Sequence, residues 1–160
     1  MNEHSNENNM SREQKFENHV LKETIEIEKE VFEESLEKKP IKNILVIDDE
    51  EMIRDLFKEG LERFGYEVTV ASNGNEGVKF FRENPADLII TDIFMPEKDG
   101  HTLIDEIMRE FPEANIFAIT RELNIAKALG AKRVFAKPVK LSELLDAIKE
   151  LSPEIKTVSV

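Results

Sequence analysis

Four side chains able to do chemistry stand at the ends of three short apolar runs. The run Ile44–Ile47 stops at Asp48 and Asp49, Leu88–Thr91 stops at Asp92, and Val134–Ala136 stops at Lys137-Pro138. Three carboxylates sharing one crevice repel each other and raise each other's pKa unless a cation offsets them. Hard oxygen ligands with room for water suit Mg²⁺, which one or two carboxylates and phosphate oxygens usually hold. A carboxylate beside such an ion, with an ammonium opposite, can serve as a phosphoryl acceptor. Taken singly the residues have duller readings: Asp49 could cap the helix that follows, Asp92 could cap a loop, and Lys137 could be one surface lysine among many.

These residues meet only if the three runs are neighbouring strands. Buried parallel strands read as near-continuous apolar runs, and open α/β sheets bind ligands beyond the strands' carboxyl ends. The rest of the chain supplies the alternation such a sheet needs. A strand over Ile44–Ile47 leads to a helix over Glu51–Phe64, with Ile53, Leu56, Phe57, Leu61 and Phe64 at helical spacing and Gly65 as C-cap. Tyr66–Val70 alternates as a second strand, Ser72-Asn73-Gly74 turns, and Glu76–Glu83 is a short helix stopped by Asn84-Pro85. After Leu88–Thr91 comes the loop Met95–Gly100, then a helix burying Leu103, Ile104, Ile107, Met108 and Phe111. Asn115–Thr120 is a fourth strand, Ile125–Leu129 at best a short helix, and Val134–Ala136 a fifth strand. Ser142 caps a last helix carrying Leu144, Leu145, Ile148 and Leu151. Five strand–helix alternations mean an α/β fold with a doubly wound, five-stranded parallel sheet.

Composition narrows the classes further. A net charge of -12 argues against nucleic acid, whose binding rests on phosphate neutralisation. The absence of cysteine removes thiolate metal sites, disulfides and cysteine nucleophiles. No apolar run approaches the roughly 20 residues of a membrane span, and the start of the chain lacks a secretory pattern, so a cytoplasmic protein is expected. No G-x-G-x-x-G follows the first strand and no Walker lysine is present. Residues 1–10 are polar and expected to be disordered. Residues 11–40 form an amphipathic, charged helical extension that opens on a capping box, Ser11 with Gln14. On it Phe16, Val20, Ile27 and Val31 fall on one stripe, which Leu21, Ile25, Phe32 and Leu36 widen; Glu34 and Lys38 are favourably spaced. The stripe either packs on its own domain or meets a partner helix, self-association through residues 11–39 included. The tail 153–160 should fray.

Residues 41–152 resemble the response-regulator receiver domain of two-component signalling. The resemblance rests on the Asp48-Asp49 pair, Asp92, the Met95-Pro96 and Asp99-Gly100 pairs behind it, Thr120, Gly130-Ala131 and Lys137-Pro138. It implies a flavodoxin-like strand order of 2-1-3-4-5. It also implies that Asp92 accepts a phosphoryl group from a histidine kinase or phosphotransfer protein. Asp49, Asp92 and the Phe94 backbone carbonyl would ligate Mg²⁺, with Asp48 acting through water. Thr120 and Lys137 would bind the new phosphoryl group, and Lys137-Pro138 would be a cis peptide. The side chains flanking the water that removes the group would be Phe94 and Glu122. Several positions depart from the family's pattern. Val134 stands where an aromatic switch residue is usual, with Phe135 facing the other side of the sheet. Arg121 follows Thr120 where a small residue is common, and only 17 positions separate Thr120 from Lys137. The chain leaves little room after the fifth helix for an output domain, so signalling by contact with a protein target is expected. Two alternatives stand beside this reading. One is a degenerate receiver acting as a phosphorylation-independent binding module. The other is an aspartate-based phosphohydrolase, which the adjacency of Asp48 and Asp49 and the lack of a cap domain disfavour.

Overall fold

The computed structural model describes residues 11–37, 39–122 and 130–152. The expectations for residues 1–10, the Glu34–Lys38 spacing, a helix over 125–129 and the tail from Pro153 therefore lie outside the described residues. The remaining elements are α1 (Arg12–Glu37), β1 (Asn43–Ile47), α2 (Glu51–Glu62), β2 (Glu67–Ala71), α3 (Gly74–Glu83), β3 (Leu88–Asp92), α4 (Gly100–Glu110), β4 (Ile116–Thr120), β5 (Arg133–Ala136) and α5 (Leu141–Leu151). The chain divides into two compact units, one holding α1 and the other running from Pro40 to Glu154.

In the first unit, Ser11 and Gln14 form the expected capping box. The Gln14 N–H donates to Ser11 Oγ at 3.3 Å, and the Ser11 N–H donates to Gln14 Oε1 at 3.1 Å. Phe16, Val20, Leu21, Ile25 and Ile27 are all exposed along this helix.

The second unit is a five-stranded sheet in the order β2-β1-β3-β4-β5, with every adjacent pair parallel. Strand side chains alternate between two faces, and each face has its own core. Ile44, Val46, Leu88, Ile90, Phe117 and Ile119 pack with Phe57 and Leu61 of α2 and Leu144 and Ile148 of α5. Leu45, Ile47, Ile89, Ile116 and Ala118 pack on the opposite face with Val78 and Phe81 of α3 and Leu103, Ile104 and Ile107 of α4. Val134 joins this second core. Phe135 joins the first, its ring 5.5 Å from that of Phe117. With helices covering both faces, β1, β3 and β4 need no polar side, which is why they read as unbroken apolar runs.

Several boundaries differ from the sequence expectations. α2 ends at Glu62, and Leu56 and Phe64 are exposed rather than part of the buried stripe. α3 starts at Gly74, because Asn73 serves as a true N-cap: its side chain accepts the Glu76 N–H at 2.9 Å. Ser142 is not the cap of α5. The cap position is Lys140, without a side-chain bond, and the helix begins at Leu141, whose side chain fills the space left by Gly60 of α2. The cap position of α2 is Arg63 rather than Gly65, which lies two residues further on at φ 90° and closes the turn, its N–H donating to the Glu62 carbonyl at 3.0 Å.

Candidate functional site

The sheet register brings the chemical residues together. Ile47 of β1 is level with Thr91 of β3, Asp92 with Ile119 of β4, and Thr120 with Ala136 of β5. Asp48 and Asp92 thus follow paired residues on adjacent strands, and Thr120 and Lys137 stand on the next two. The ladder continues past the strand ends. The Asp48 N–H donates to the Ala71 carbonyl at 3.2 Å, that of Ile93 to Ile119 at 3.0 Å, and that of Lys137 to Thr120 at 2.9 Å. These bonds hold the site residues in rigid backbone.

Asp48, Asp92 and Thr120 are buried, while Asp49 is exposed at the mouth. Carboxylate oxygens of Asp48, Asp49 and Asp92 lie within 4.8 Å of one another. The Lys137 ammonium donates to Asp92 Oδ2 and stands 3.7 Å from Asp48 and 3.9 Å from Glu50. Burial pushes the Asp48 carboxyl above its ordinary value, and the nearby Asp92 and Asp49 charges add to this. The Glu50 N–H and Lys137 oppose the rise without cancelling it. Burial pulls Lys137 down, but its bond to Asp92 and the charges of Asp48, Asp92 and Glu50 outweigh this and hold it above its ordinary value. Three carboxylates facing one ammonium leave the pocket short of positive charge. Its donors are hard oxygens, with one carboxylate open to water, and that set fits a divalent cation of the Mg²⁺ type.

Asp49 is not the cap of α2. Glu50 holds that position without a side-chain bond, and the carboxylate that reaches back is Asp48, which accepts the Glu50 N–H at 2.9 Å. Asp92 does bind its own loop, accepting the Phe94 N–H on Oδ1 at 3.1 Å, but it also carries the lysine on Oδ2. Thr120 Oγ1 accepts the Glu122 N–H at 3.0 Å, an arrangement that leaves its hydroxyl proton to donate elsewhere. Lys137-Pro138 is cis, as expected.

The loop behind Asp92 is fixed through its backbone where it meets α4. The Gly100 N–H donates to the Ile93 carbonyl at 2.8 Å, and a Cβ on Gly100 would lie 2.2 Å from the Asp92 carbonyl oxygen. Only glycine allows this approach. Asp99 caps α4 by accepting the Thr102 N–H at 2.8 Å, which keeps its carboxyl below the usual range. Lys98 bonds to Glu106, and Glu106 also accepts Arg82 of α3 at 2.8 Å, so the loop is strapped to two helices.

Phe94, Arg121 and Glu122 line the mouth of the pocket with Asp49, Glu50, Asp92 and Lys137. An apolar groove adjoins it, sharing Glu50, Arg121 and Lys137 and lined further by Asp48, Ile53, Leu56 and Pro138. Sequence reasoning missed Glu50 and Lys98. Glu50 looks like any first-turn acid, and Lys98 acquires its role only when the loop folds against α4. Among the described residues no helix is long and apolar enough to cross a membrane.

Comparison with known proteins agrees with this geometry. The family described as the response regulator receiver domain matches residues 44–149. The chemotaxis protein CheY of Thermotoga maritima is 34% identical over 117 residues, covering 69% of this chain and 98% of that protein. A probable transcriptional regulator, ycf27 of Cyanidium caldarium, is also 34% identical, but the match covers only 48% of its length. Among solved structures, the response regulator protein TrrA of Thermotoga maritima, in complex with Mg²⁺ and BeF, is 37% identical. That match covers 69% of this chain and 99% of the other, with a TM-score of 0.64. The parallel 2-1-3-4-5 sheet, the acidic pocket at its carboxyl edge and a match over most of Pro40–Glu154 have one common account: the chain belongs to the response regulator receiver domain family.

Proposed function

We propose that this protein is a phosphorylation-dependent response regulator. Asp92 accepts a phosphoryl group from a histidine kinase or histidine phosphotransfer protein, and the phosphorylated chain signals by contact with a protein target in the cytoplasm. The observation that carries this reading is Asp92 itself, buried between two further carboxylates and the Lys137 ammonium. Mg²⁺, held by Asp49, Asp92 and the Phe94 carbonyl and by Asp48 through water, would neutralise charge on the phosphoryl oxygens. An Asp92 oxygen forms the new bond to phosphorus as the bond to the donor atom breaks, and the electron pair leaves with the donor. Lys137 then moves from the carboxylate to a phosphoryl oxygen, and the Thr120 hydroxyl donates to another. The fixed strand ends keep these groups aimed at one point, so little reorganisation is needed at transfer. The groove beside the pocket, with Ile53, Leu56 and Pro138, offers apolar surface to the donor protein because it is continuous with the reacting residues.

The test is direct. Incubation with acetyl phosphate and Mg²⁺ should add one phosphoryl group by intact mass. Neither Asp92→Asn nor the wild type in chelator should gain one. Equal labelling of Asp92→Asn would overturn the assignment.

A further inference from the structure

The helix α1 carries an internal repeat. Residues 16–26, Phe-Glu-Asn-His-Val-Leu-Lys-Glu-Thr-Ile-Glu, align without a gap on residues 27–37, Ile-Glu-Lys-Glu-Val-Phe-Glu-Glu-Ser-Leu-Glu. Every apolar residue of the first block meets an apolar residue in the second: Phe16 with Ile27, Val20 with Val31, Leu21 with Phe32 and Ile25 with Leu36. Thr24 meets Ser35, and Glu17, Glu23 and Glu26 meet glutamates. An 11-residue period is three turns at about 98° per residue, so equivalent positions stay on one line along the helix. A single globular neighbour makes no demand for such regularity. Extended packing against other helices does.

The period sorts the apolar residues into two seams rather than one. Phe16, Val20, Ile27 and Val31 form the first, and Leu21, Ile25, Phe32 and Leu36 the second, with centres roughly 130° apart at that angular step. Between them run the Thr24/Ser35 and Glu17/Glu28 columns. Among the residues whose side chains are described, Phe16 and Ile27 of the first seam are 69% and 59% exposed and Leu21 of the second is 57% exposed. The outer flank of the first seam is acidic, with Glu23, Glu30 and Glu34. Arg12 shares that flank and leaves it net negative, whereas the outer flank of the second holds Lys22 and Lys29 with Glu33 and is net positive. Charges flanking a helical seam set which surfaces pair.

We propose that α1 holds copies of this chain together in a closed bundle of three or more helices. The acid-flanked seam of each copy seats on the lysine-flanked seam of the next. A two-fold pair could cover only one seam per helix, or else would bury Glu17 and Glu28 at its centre without partners. Head-to-tail pairing of unlike seams covers both seams and closes as a ring. The helix is long enough for this, since 26 residues span about 39 Å.

Sedimentation of the full chain should give a mass of at least three chains at micromolar concentration. Val20→Glu in the first seam and Ile25→Glu in the second should each yield monomers, while the thermal transition of the receiver unit stays unchanged. The pair Lys22→Glu with Lys29→Glu should weaken assembly at least tenfold, and adding Glu23→Lys with Glu30→Lys should restore it. A monomer or dimer over a wide concentration range would overturn the bundle. So would a trimer or larger assembly insensitive to either seam variant, or a fourfold charge variant no tighter than the double one.

Discussion

Replacing Asp48 by asparagine removes one negative charge from the pocket and leaves an amide oxygen to accept the Glu50 N–H, now bound at 2.9 Å. Carboxylates whose oxygens lie within 4.8 Å repel by about 3.5 kcal/mol per pair at an effective dielectric of about 20. Lys137, 3.7 Å away, attracts Asp48 by about 4.5 kcal/mol on the same scale. Losing two repulsions and one attraction favours the variant by about 2.5 kcal/mol, and relief of burying the Asp48 charge acts in the same direction. Screening at the open mouth reduces the gain, so Asp48→Asn should stabilise the metal-free protein by about 1–3 kcal/mol. For a unit of this size that raises Tm by roughly 4–12 °C. The sign reverses in the response to metal. At free Mg²⁺ ten times its dissociation constant the wild type gains about 1.4 kcal/mol, and the variant should gain less than about a third of that. Thermal unfolding followed by circular dichroism, in chelator and across a Mg²⁺ series, measures both effects. An Asp48→Asn protein less stable than wild type in chelator, or one gaining as much from Mg²⁺, would refute the reasoning that these carboxylates are mutually strained and relieved by a cation.

Two further outcomes follow from side chains around the pocket. Phe94 is half exposed and lines the mouth with Arg121 and Lys137, where, under the proposed phosphorylation of Asp92, its ring would exclude the attacking water. Phe94→Asn should lower that barrier by on the order of 1 kcal/mol and speed loss of the phosphoryl group up to about tenfold by intact mass; an equal or slower decay rejects this account. The straps behind the pocket should be acid-labile. Lys98, then Arg82, holds Glu106 below its ordinary value of 4.5, and the Thr102 N–H holds Asp99 below 3.8. A carboxylate with a depressed folded pKa stabilises above its unfolded value, and that contribution is lost as pH falls through the folded one. Urea unfolding should therefore show stability falling below about pH 4.5, and Glu106→Gln should flatten that fall; an unchanged pH profile in the variant removes Glu106 as a cause.

Much of this was legible because the sheet is buried on both faces. Unbroken apolar runs ending at Asp48, Asp92 and Lys137 announced both the strands and the edge where these side chains gather. The alternation within those runs also placed Val134 and Phe135 on opposite cores, as found. Helix boundaries were less legible wherever tertiary contacts set them. α5 starts at Leu141 because that side chain packs into the space over Gly60, which no local cap signal reports. Leu56 and Phe64 sit at helical spacing with buried residues, yet only Phe57 and Leu61 of α2 reach the core fully. Spacing fixes a face only to within the width of a helix.

The pocket was readable as a set of groups but not as a set of bonds. Asp49 and Asp48 are adjacent and chemically equal in the sequence, yet the structure makes them unlike. Asp48 is buried, holds the Glu50 N–H and has its charge disfavoured, whereas Asp49 stands in solvent. The difference arises from the ladder bond between the Asp48 N–H and Ala71, which extends β1 by one residue and turns the first carboxylate inward. Lys98 and Arg82 were invisible for a related reason. They meet at Glu106 from positions 8 and 24 residues away, and only the packing of α3 beside α4 brings them there. Gly100 lies between the two cases. A glycine after Asp99 reads as the start of a helix, but its indispensability comes from the Asp92 carbonyl, 2.2 Å from where a side chain would begin. Backbone contact of that closeness ties the first turn of α4 directly to the residue at the centre of the site, and it does so without any side chain that a sequence could display.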